Sequence, residues 1–282
     1  MPLEHLPDAI LEPLVRAALD EDLGKAGDIT SNTVIPENKI WQAAFMAHQK
    51  GVVAGFDLAR LAFYLTDKSV VFTARKKDGA LVKPGTVLGT VKGNARSILS
   101  AERVALNYMG HLSGIATATR KLVEAVKPHR AKISDTRKTT PNMRALEKYA
   151  VRAGGGVNHR FGLYDAILIK DNHIAAAGGI RQAVLRARKL AGASIKIELE
   201  VDTLDQLRQA LDLPLDVVLL DNMKPSMLKK AVKLVNGRFK TEASGGVTLA
   251  TVKSIAASGV DVISVGAITH SAPVLDIGLD EI

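Results

Sequence analysis

From Ala131 onward, short aliphatic runs alternate with amphipathic segments, and this alternation constrains the fold more than any other feature of the chain. Ala131–Ser134, Ala166–Ile169, Ile195–Val201, Val217–Leu220, Phe239–Ala243 and Val262–Val265 read as strands. Between them, Met143–Ala153, Ile180–Ala191, Leu204–Leu211, Lys224–Val235 and Leu249–Ala257 carry apolar residues at helical spacing. Such a pattern predicts a parallel sheet with helical crossovers. About six strand–helix units suit either an open doubly wound sheet or a barrel-like closure.

The first hundred or so residues lack this regularity and read as α+β. Asp8–Leu23 is helical and closes at Gly24, strands surround Gly51 and Gly55, and Asp57–Leu65 is helical again. Val70–Val91 reads as short strands broken at Asp78-Gly79 and Pro84-Gly85. Ser97–Lys127 reads as a long helical region interrupted near Gly110 and Gly114 and ended by Pro128. Within it, Arg103 reads as a surface cation with a buried stem.

The polar residues of the alternating region fall where its strands end. The first strand runs into Asp135-Thr136-Arg137-Lys138-Thr139-Thr140-Pro141, an acid, three hydroxyls and two cations ahead of a proline. Burying so many hydrogen-bonding groups is costly, so they are expected to face water or a polar ligand. The second strand ends at Lys170-Asp171-Asn172-His173, and the third carries Glu198 and Glu200 on one face. The fourth ends at Asp221-Asn222, the fifth at Glu242-Ala243-Ser244-Gly245-Gly246, the sixth at Gly266. Parallel sheets gather the carboxyl ends of their strands on one rim, where ligands bind. Stability alone does not require charge at so many strand ends.

That rim is chemically divided. Arg137, Lys138 and Lys170 are cationic, and Gly154-Gly155-Gly156-Val157-Asn158-His159-Arg160, a mobile or tightly turned stretch, adds His159 and Arg160. Glu200 and Asp221 suit a Mg²⁺ shared with substrate phosphates, or else a structural salt bridge to the rim cations. Ser244-Gly245-Gly246 ahead of a helix reads as a phosphate cradle, and Gly266 permits close backbone approach.

Composition narrows the classes. The chain has 38 basic and 29 acidic residues, a formal net charge of +9, which favours anionic partners. Aromatics make up 4% of it, too few for a base-stacking platform. With no cysteine, disulfides, thiolate metal sites and a cysteine nucleophile are excluded. No apolar run is long enough to span a bilayer, and Met1–His5 has neither the basic start nor the apolar stretch of a leader. A cytoplasmic protein without membrane or nucleic-acid partners is expected.

Together, Ala105-Leu106-Asn107, Leu112–Thr117, Asp135–Pro141, Glu147–Val151, Gly154–Arg160, Leu168–His173, Leu220–Met223, Glu242–Gly246 and Thr269-His270-Ser271 resemble the quinolinate phosphoribosyltransferase family, in order along the whole chain. Glu21–Gly24 and Gly27–Thr30 are similar too. The resemblance implies an α/β fold of the type II phosphoribosyltransferase kind. An N-terminal α/β sandwich would span residues 1–114 and an incomplete, open α/β barrel residues 115–271, with 272–282 returning to the sandwich. It also implies a homodimer or higher homo-oligomer in which Arg103 reaches the neighbouring active site. Quinolinate's two carboxylates would then meet Arg103, Arg137, Lys138, His159, Arg160 and Lys170, with Thr136 beside them. Phosphoribosyl pyrophosphate and Mg²⁺ would meet Glu200 and Asp221, the ion held directly or through substrate or water. The 5′-phosphate would sit on Ser244, Gly245, Gly246, Gly266 and Ala267. Lys138, Lys170, Glu200 and Asp221 would be the catalytic set. One departure is Asn142, where the family usually has glycine; asparagine tolerates left-handed backbone, so little consequence is expected.

The implied reaction joins phosphoribosyl to quinolinate with decarboxylation, giving nicotinate mononucleotide, pyrophosphate and CO₂ for NAD synthesis. Three other readings remain open on sequence alone: a Schiff-base aldolase using Lys170, a basic nucleic-acid-binding protein, and a related phosphoribosyltransferase that prefers nicotinate.

Overall fold

The structure is a computed structural model and describes residues 3–191 and 194–282. Of the N-terminal stretch read for a leader, Met1 and Pro2 lie outside the described residues. In chain order the first elements are α1 (Asp8–Leu23), α2 (Ile29–Val34), β1 (Ile40–Ala47), β2 (Gly51–Val52), α3 (Phe56–Thr66), β3 (Val71–Ala74), β4 (Leu81–Val82), β5 (Thr86–Asn94) and α4 (Ala95–Val126). There follow β6 (Lys132–Ser134), α5 (Arg144–Ala153), β7 (Ile167–Ile169), α6 (Asp171–Ala177), α7 (Ile180–Ala191), β8 (Ile197–Val201), α8 (Leu204–Ala210) and β9 (Val217–Asp221). The last are α9 (Pro225–Val235), β10 (Lys240–Ser244), α10 (Val252–Ala256), β11 (Val262–Ser264), α11 (Ala267–His270) and β12 (Ile277–Glu281). No described helix is long and apolar enough to cross a membrane.

The chain forms two compact units. The first takes the residues up to Arg120, then Ala145–Gly155 and Ser271–Ile282; the second takes Lys121–Arg144 and Gly156–His270. The sequence reading divides the chain at 114/115, a point inside α4, and assigns 145–155 to the barrel; here the division falls after Arg120, and 145–155 groups with the first unit.

The first unit is built on a four-stranded antiparallel sheet in the order β12-β1-β5-β3. β12 pairs along β1, so the C-terminal residues do return to the N-terminal sheet. Phe45 and Phe63 are fully buried and meet edge to face, with centroids 5.8 Å apart. The expected interruption of α4 is absent. Gly110 and Gly114 sit within one continuous helix because the 273–275 segment lies hard against them. A Cβ on Gly114 would stand 2.2 Å from the Pro273 carbonyl oxygen. These glycines mark a close backbone crossing, not a break. Gly154 is likewise tightly packed, its missing Cβ position 2.5 Å from the Ala116 carbonyl oxygen.

The second unit holds a six-stranded, all-parallel sheet in the order β6-β11-β10-β9-β8-β7. This is the open barrel the resemblance implies. Burial along β8 explains the dual chemistry of its sequence: Ile197, Leu199 and Val201 are fully buried on one face, while Glu198 and Glu200 share the other. Register extends that second face across the sheet, because Glu200 pairs with Leu219 and Leu219 with Glu242, while Asp221 pairs with Ser244.

Candidate active site

A cavity of about 680 Å³ opens at the carboxyl ends of the second unit's strands. Thr136, Arg137, Lys138, His159, Arg160, Lys170, Glu200, Asp221, Ser244, Gly245, Gly246, Gly266 and Ala267 all line it. Lys138, Lys170, Asp221 and Ser244, from four different strand ends, therefore converge. Arg103 is not among the lining residues; it lies exposed on α4 in the first unit.

The loop after β6 is organised by groups whose role the sequence did not reveal. Asp135 is fully buried, contrary to the expectation that this run faces water or ligand throughout. Its carboxylate accepts from the backbone N–H of His159 at 2.9 Å and from the Asn158 amide, so it anchors the neighbouring loop. Arg144 donates to Thr139 Oγ1 at 3.0 Å and to the carbonyls of Arg137 and Phe161, tying two cavity loops together. Thr269 Oγ1 donates to the Lys138 carbonyl at 2.7 Å, which holds Lys138 against Gly266. Asn142 adopts φ +63°, the left-handed backbone expected of it.

Positive charge is concentrated beyond what these contacts satisfy. Arg137 Nε is buried with no hydrogen-bond partner among the described residues. Burial, and then the nearby charge of Arg137, hold Arg160 below its ordinary value. Two cations that destabilise each other, one with an orphaned donor, form a site that an anion would relieve.

The carboxylates stand opposite. Lys170 Nζ lies 2.7 Å from Glu200 Oε2, so the salt bridge the sequence left open is present for that pair. The Lys170 side chain is ion-paired and 45% exposed, which argues against the desolvated lysine a Schiff-base enzyme needs. Asp221 Oδ2 accepts from Asn222 Nδ2 at 2.6 Å. Glu200 and Asp221 offer hard oxygen atoms to a shared cavity, a donor set that suits Mg²⁺. One oxygen of Glu200 already belongs to Lys170, which favours contact through substrate or water.

The glycine cradle differs from expectation in one respect. No helix follows Gly246 directly, since α10 begins only at Val252. Gly245 and Gly246 instead turn with φ +92° and +58°, and Gly266 leads straight into α11. Space there is tight: a Cβ on Gly245 would fall 2.0 Å from Asn222 Oδ1.

Asn222 and Glu242, which the sequence places at strand ends without a ligand role, line the cavity, as do Ser264 and His270, to which it assigns none. Strand alternation was the available signal for Glu242, two residues before Ser244 on the same face. Its carboxyl is pushed up to about 7 by burial and by the neighbouring charge of Glu198. His159 Nε2 lies 3.1 Å from Glu198 Oε2 and 3.4 Å from Glu242 Oε1.

The parallel sheet and its divided, charged mouth define an α/β enzyme that handles an anionic substrate. Residues 28–113 match the quinolinate phosphoribosyl transferase N-terminal domain and residues 115–280 its C-terminal domain. A probable carboxylating nicotinate-nucleotide pyrophosphorylase of Bacillus subtilis is 46% identical over 96% of this chain and 93% of its own length. A chloroplastic carboxylating nicotinate-nucleotide pyrophosphorylase of Arabidopsis thaliana is 44% identical over 97% of this chain and 83% of its own. The solved nicotinate-nucleotide pyrophosphorylase from Francisella tularensis superposes with a TM-score of 0.94 at 41% identity, covering 99% of this chain and 98% of that one. The chain belongs to the quinolinate phosphoribosyltransferase family.

Proposed function

We propose that this chain transfers phosphoribosyl from phosphoribosyl pyrophosphate to quinolinate with loss of CO₂, as a carboxylating nicotinate-nucleotide pyrophosphorylase of NAD synthesis. The observation that carries the reading is the orphaned Arg137 Nε beside the strained charge of Arg160, set across one cavity from Glu200 and Asp221. A dianionic heterocycle fits the first side. An activated sugar phosphate fits the second together with the glycine cradle.

In this reading Arg137, Lys138, His159, Arg160 and Lys170 hold the diacid so that its ring nitrogen faces the anomeric carbon. The nitrogen lone pair forms the new bond as pyrophosphate departs with the old bonding pair. Glu200 and Asp221 stabilise the positive charge that develops on the ribose. Mg²⁺, held by those two residues directly or through substrate or water, neutralises charge on the pyrophosphate when bound. CO₂ then leaves from the carboxylate next to the quaternary nitrogen. The electron pair stays on the ring carbon, which takes up a proton. The protein's own work is positioning and electrostatic stabilisation, with no side-chain nucleophile. The reading carries with it a cytoplasmic homodimer in which Arg103 of one copy completes the other's cavity.

The test is an assay of the purified protein with quinolinate, phosphoribosyl pyrophosphate and Mg²⁺, with nicotinate as comparison acceptor. Mononucleotide and CO₂ should appear together in equal amounts from quinolinate. Turnover of nicotinate alone, or mononucleotide without CO₂, would overturn the reading.

A further inference from the structure

Two buried acids converge on one imidazole at the cavity floor. Glu198 and Glu242 come from β8 and β10, are 7% and 4% exposed, and both direct an oxygen at His159 Nε2. Ser264 also hydrogen-bonds Glu242, and Arg160 adds positive charge near Glu198. Glu198 Oε1 is buried without a hydrogen-bond partner among the described residues, although Glu198 Oε2 sits 3.1 Å from the imidazole. Glu242 Oε1 has no hydrogen bond either and is 3.4 Å from the same nitrogen. A buried carboxylate needs a partner of opposite charge or it is expelled or neutralised. The charged groups facing this cluster are Asp135, which fixes the His159 backbone, and Arg160 and Arg137 on the cavity side. One Nε2–H cannot align with both acids, so Glu198, the closer, is its acceptor.

We infer that Glu198, with Glu242 behind it, is a positioning residue that holds the His159 ring as an imidazolium with Nε2 turned inward, giving the cavity a fixed cation for one quinolinate carboxylate. This inference rests on the proposed function for the identity of the anion, but not for the charge of the ring. It explains why Glu198 lies buried beneath a site that must attract a dianion: it faces His159 and not the mouth.

The experiment has two arms. In the first, the His159 ring of substrate-free wild-type protein is followed by ¹⁵N–¹H correlation at pH 7, assigned by loss of its signals in His159→Asn. Both nitrogens should carry protons; a neutral tautomer overturns the inference without any activity measurement. In the second, Glu198→Gln should become neutral at His159 and raise the quinolinate KM about tenfold, as expected for loss of one charge-assisted hydrogen bond. The KM for phosphoribosyl pyrophosphate should stay unchanged and kcat should stay within about threefold, since the reacting atoms are not touched. Glu198→Asp, which keeps the charge, should restore the imidazolium and most of the affinity. A folded Glu198→Gln with wild-type quinolinate KM overturns the inference. If wild-type protein fails to turn over quinolinate, the functional reading falls, and the spectroscopic arm still decides the state of His159.

Discussion

Gly245 and Gly246 are adjacent, line the same cavity and both have positive φ, yet they should respond very differently to an added methyl group. At Gly246, φ is +58° and a Cβ would meet nothing within 4 Å. Alanine there carries only the left-handed backbone penalty of about 1 kcal/mol, partly offset by the lower entropy of the unfolded chain. At Gly245, φ is +92° and the Cβ would lie 2.0 Å from Asn222 Oδ1 and 3.0 Å from the Asn222 backbone nitrogen. The side chain can rotate away, but its 2.6 Å bond to Asp221 is then lost, at about 1 kcal/mol. The backbone nitrogen cannot retreat without breaking its 2.9 Å bond to the Ser244 carbonyl. Overpacking adds about 1–3 kcal/mol. The sum is about 3–5 kcal/mol for Gly245→Ala against about 0–1 kcal/mol for Gly246→Ala. In thermal unfolding, that gap should separate the two melting temperatures by roughly 10 °C. Because the displaced Asn222 also releases Asp221, Gly245→Ala should raise the KM for phosphoribosyl pyrophosphate well above that of Gly246→Ala. If the two variants melt within a degree or two of each other and share one KM, the cradle is not packed as described.

Three further outcomes follow from the same geometry. Arg137→Ala removes the guanidinium with the unpartnered Nε and should raise the quinolinate KM with little change in that for phosphoribosyl pyrophosphate; an unchanged quinolinate KM in steady-state assays contradicts its role. If Arg103 serves a neighbouring copy, separately inactive Arg103→Ala and Lys138→Ala proteins, unfolded and refolded together, should recover roughly a quarter of wild-type activity, since half the dimers are hybrids with one intact site; no recovery places Arg103 elsewhere. The Glu242 carboxyl, raised from 4.5 to about 7 by burial and then by Glu198, binds a proton in the native state that the unfolded chain has released. Its contribution to stability is therefore full below about pH 4.5 and is lost as pH rises to about 7. Glu242→Gln should gain on wild type by about 2–3 kcal/mol between pH 5 and pH 8 in denaturant titrations, and a pH-independent difference would refute this origin.

What the sequence made legible is what repeats locally. Strand–helix alternation places Val217–Leu220 in a buried parallel strand, and apolar spacing predicts Asp8–Leu23 to the residue. Polar groups at strand ends likewise pointed to the cavity. Roles set by distant partners were not legible. Nothing near Asp135 says that it will be buried as an acceptor for the 158–159 backbone, and nothing near Arg144 says that it will join Thr139 to Phe161. Local propensity alone marks Gly110 and Gly114 as breaks, because it penalises glycine in a helix by about 1 kcal/mol. The compensating contact lies 159 residues beyond Gly114, at Pro273.

The open barrel itself accounts for where the cations are. Strand pairing runs from β6 around to β7 but does not join those two edges among the described residues. Residues 157–166 occupy that seam. Val157 donates to the Ile133 carbonyl at 2.8 Å and makes a single parallel bridge to Ser134, so it prolongs the sheet beyond β6 by one residue. At the far end, Arg160 donates to the Ala166 carbonyl at 3.1 Å, just ahead of β7. A seventh strand in the gap would have sent alternate side chains outward and filled the interior with the rest. An irregular segment, clamped by Asp135 at one side, can turn two consecutive residues, His159 and Arg160, toward one cavity. The missing strand is thus the condition for a cationic wall facing the carboxylates of β8 and β9. Replacing Asp135 with alanine should loosen that wall as a unit, so that quinolinate binding suffers more than the loss of either His159 or Arg160 alone.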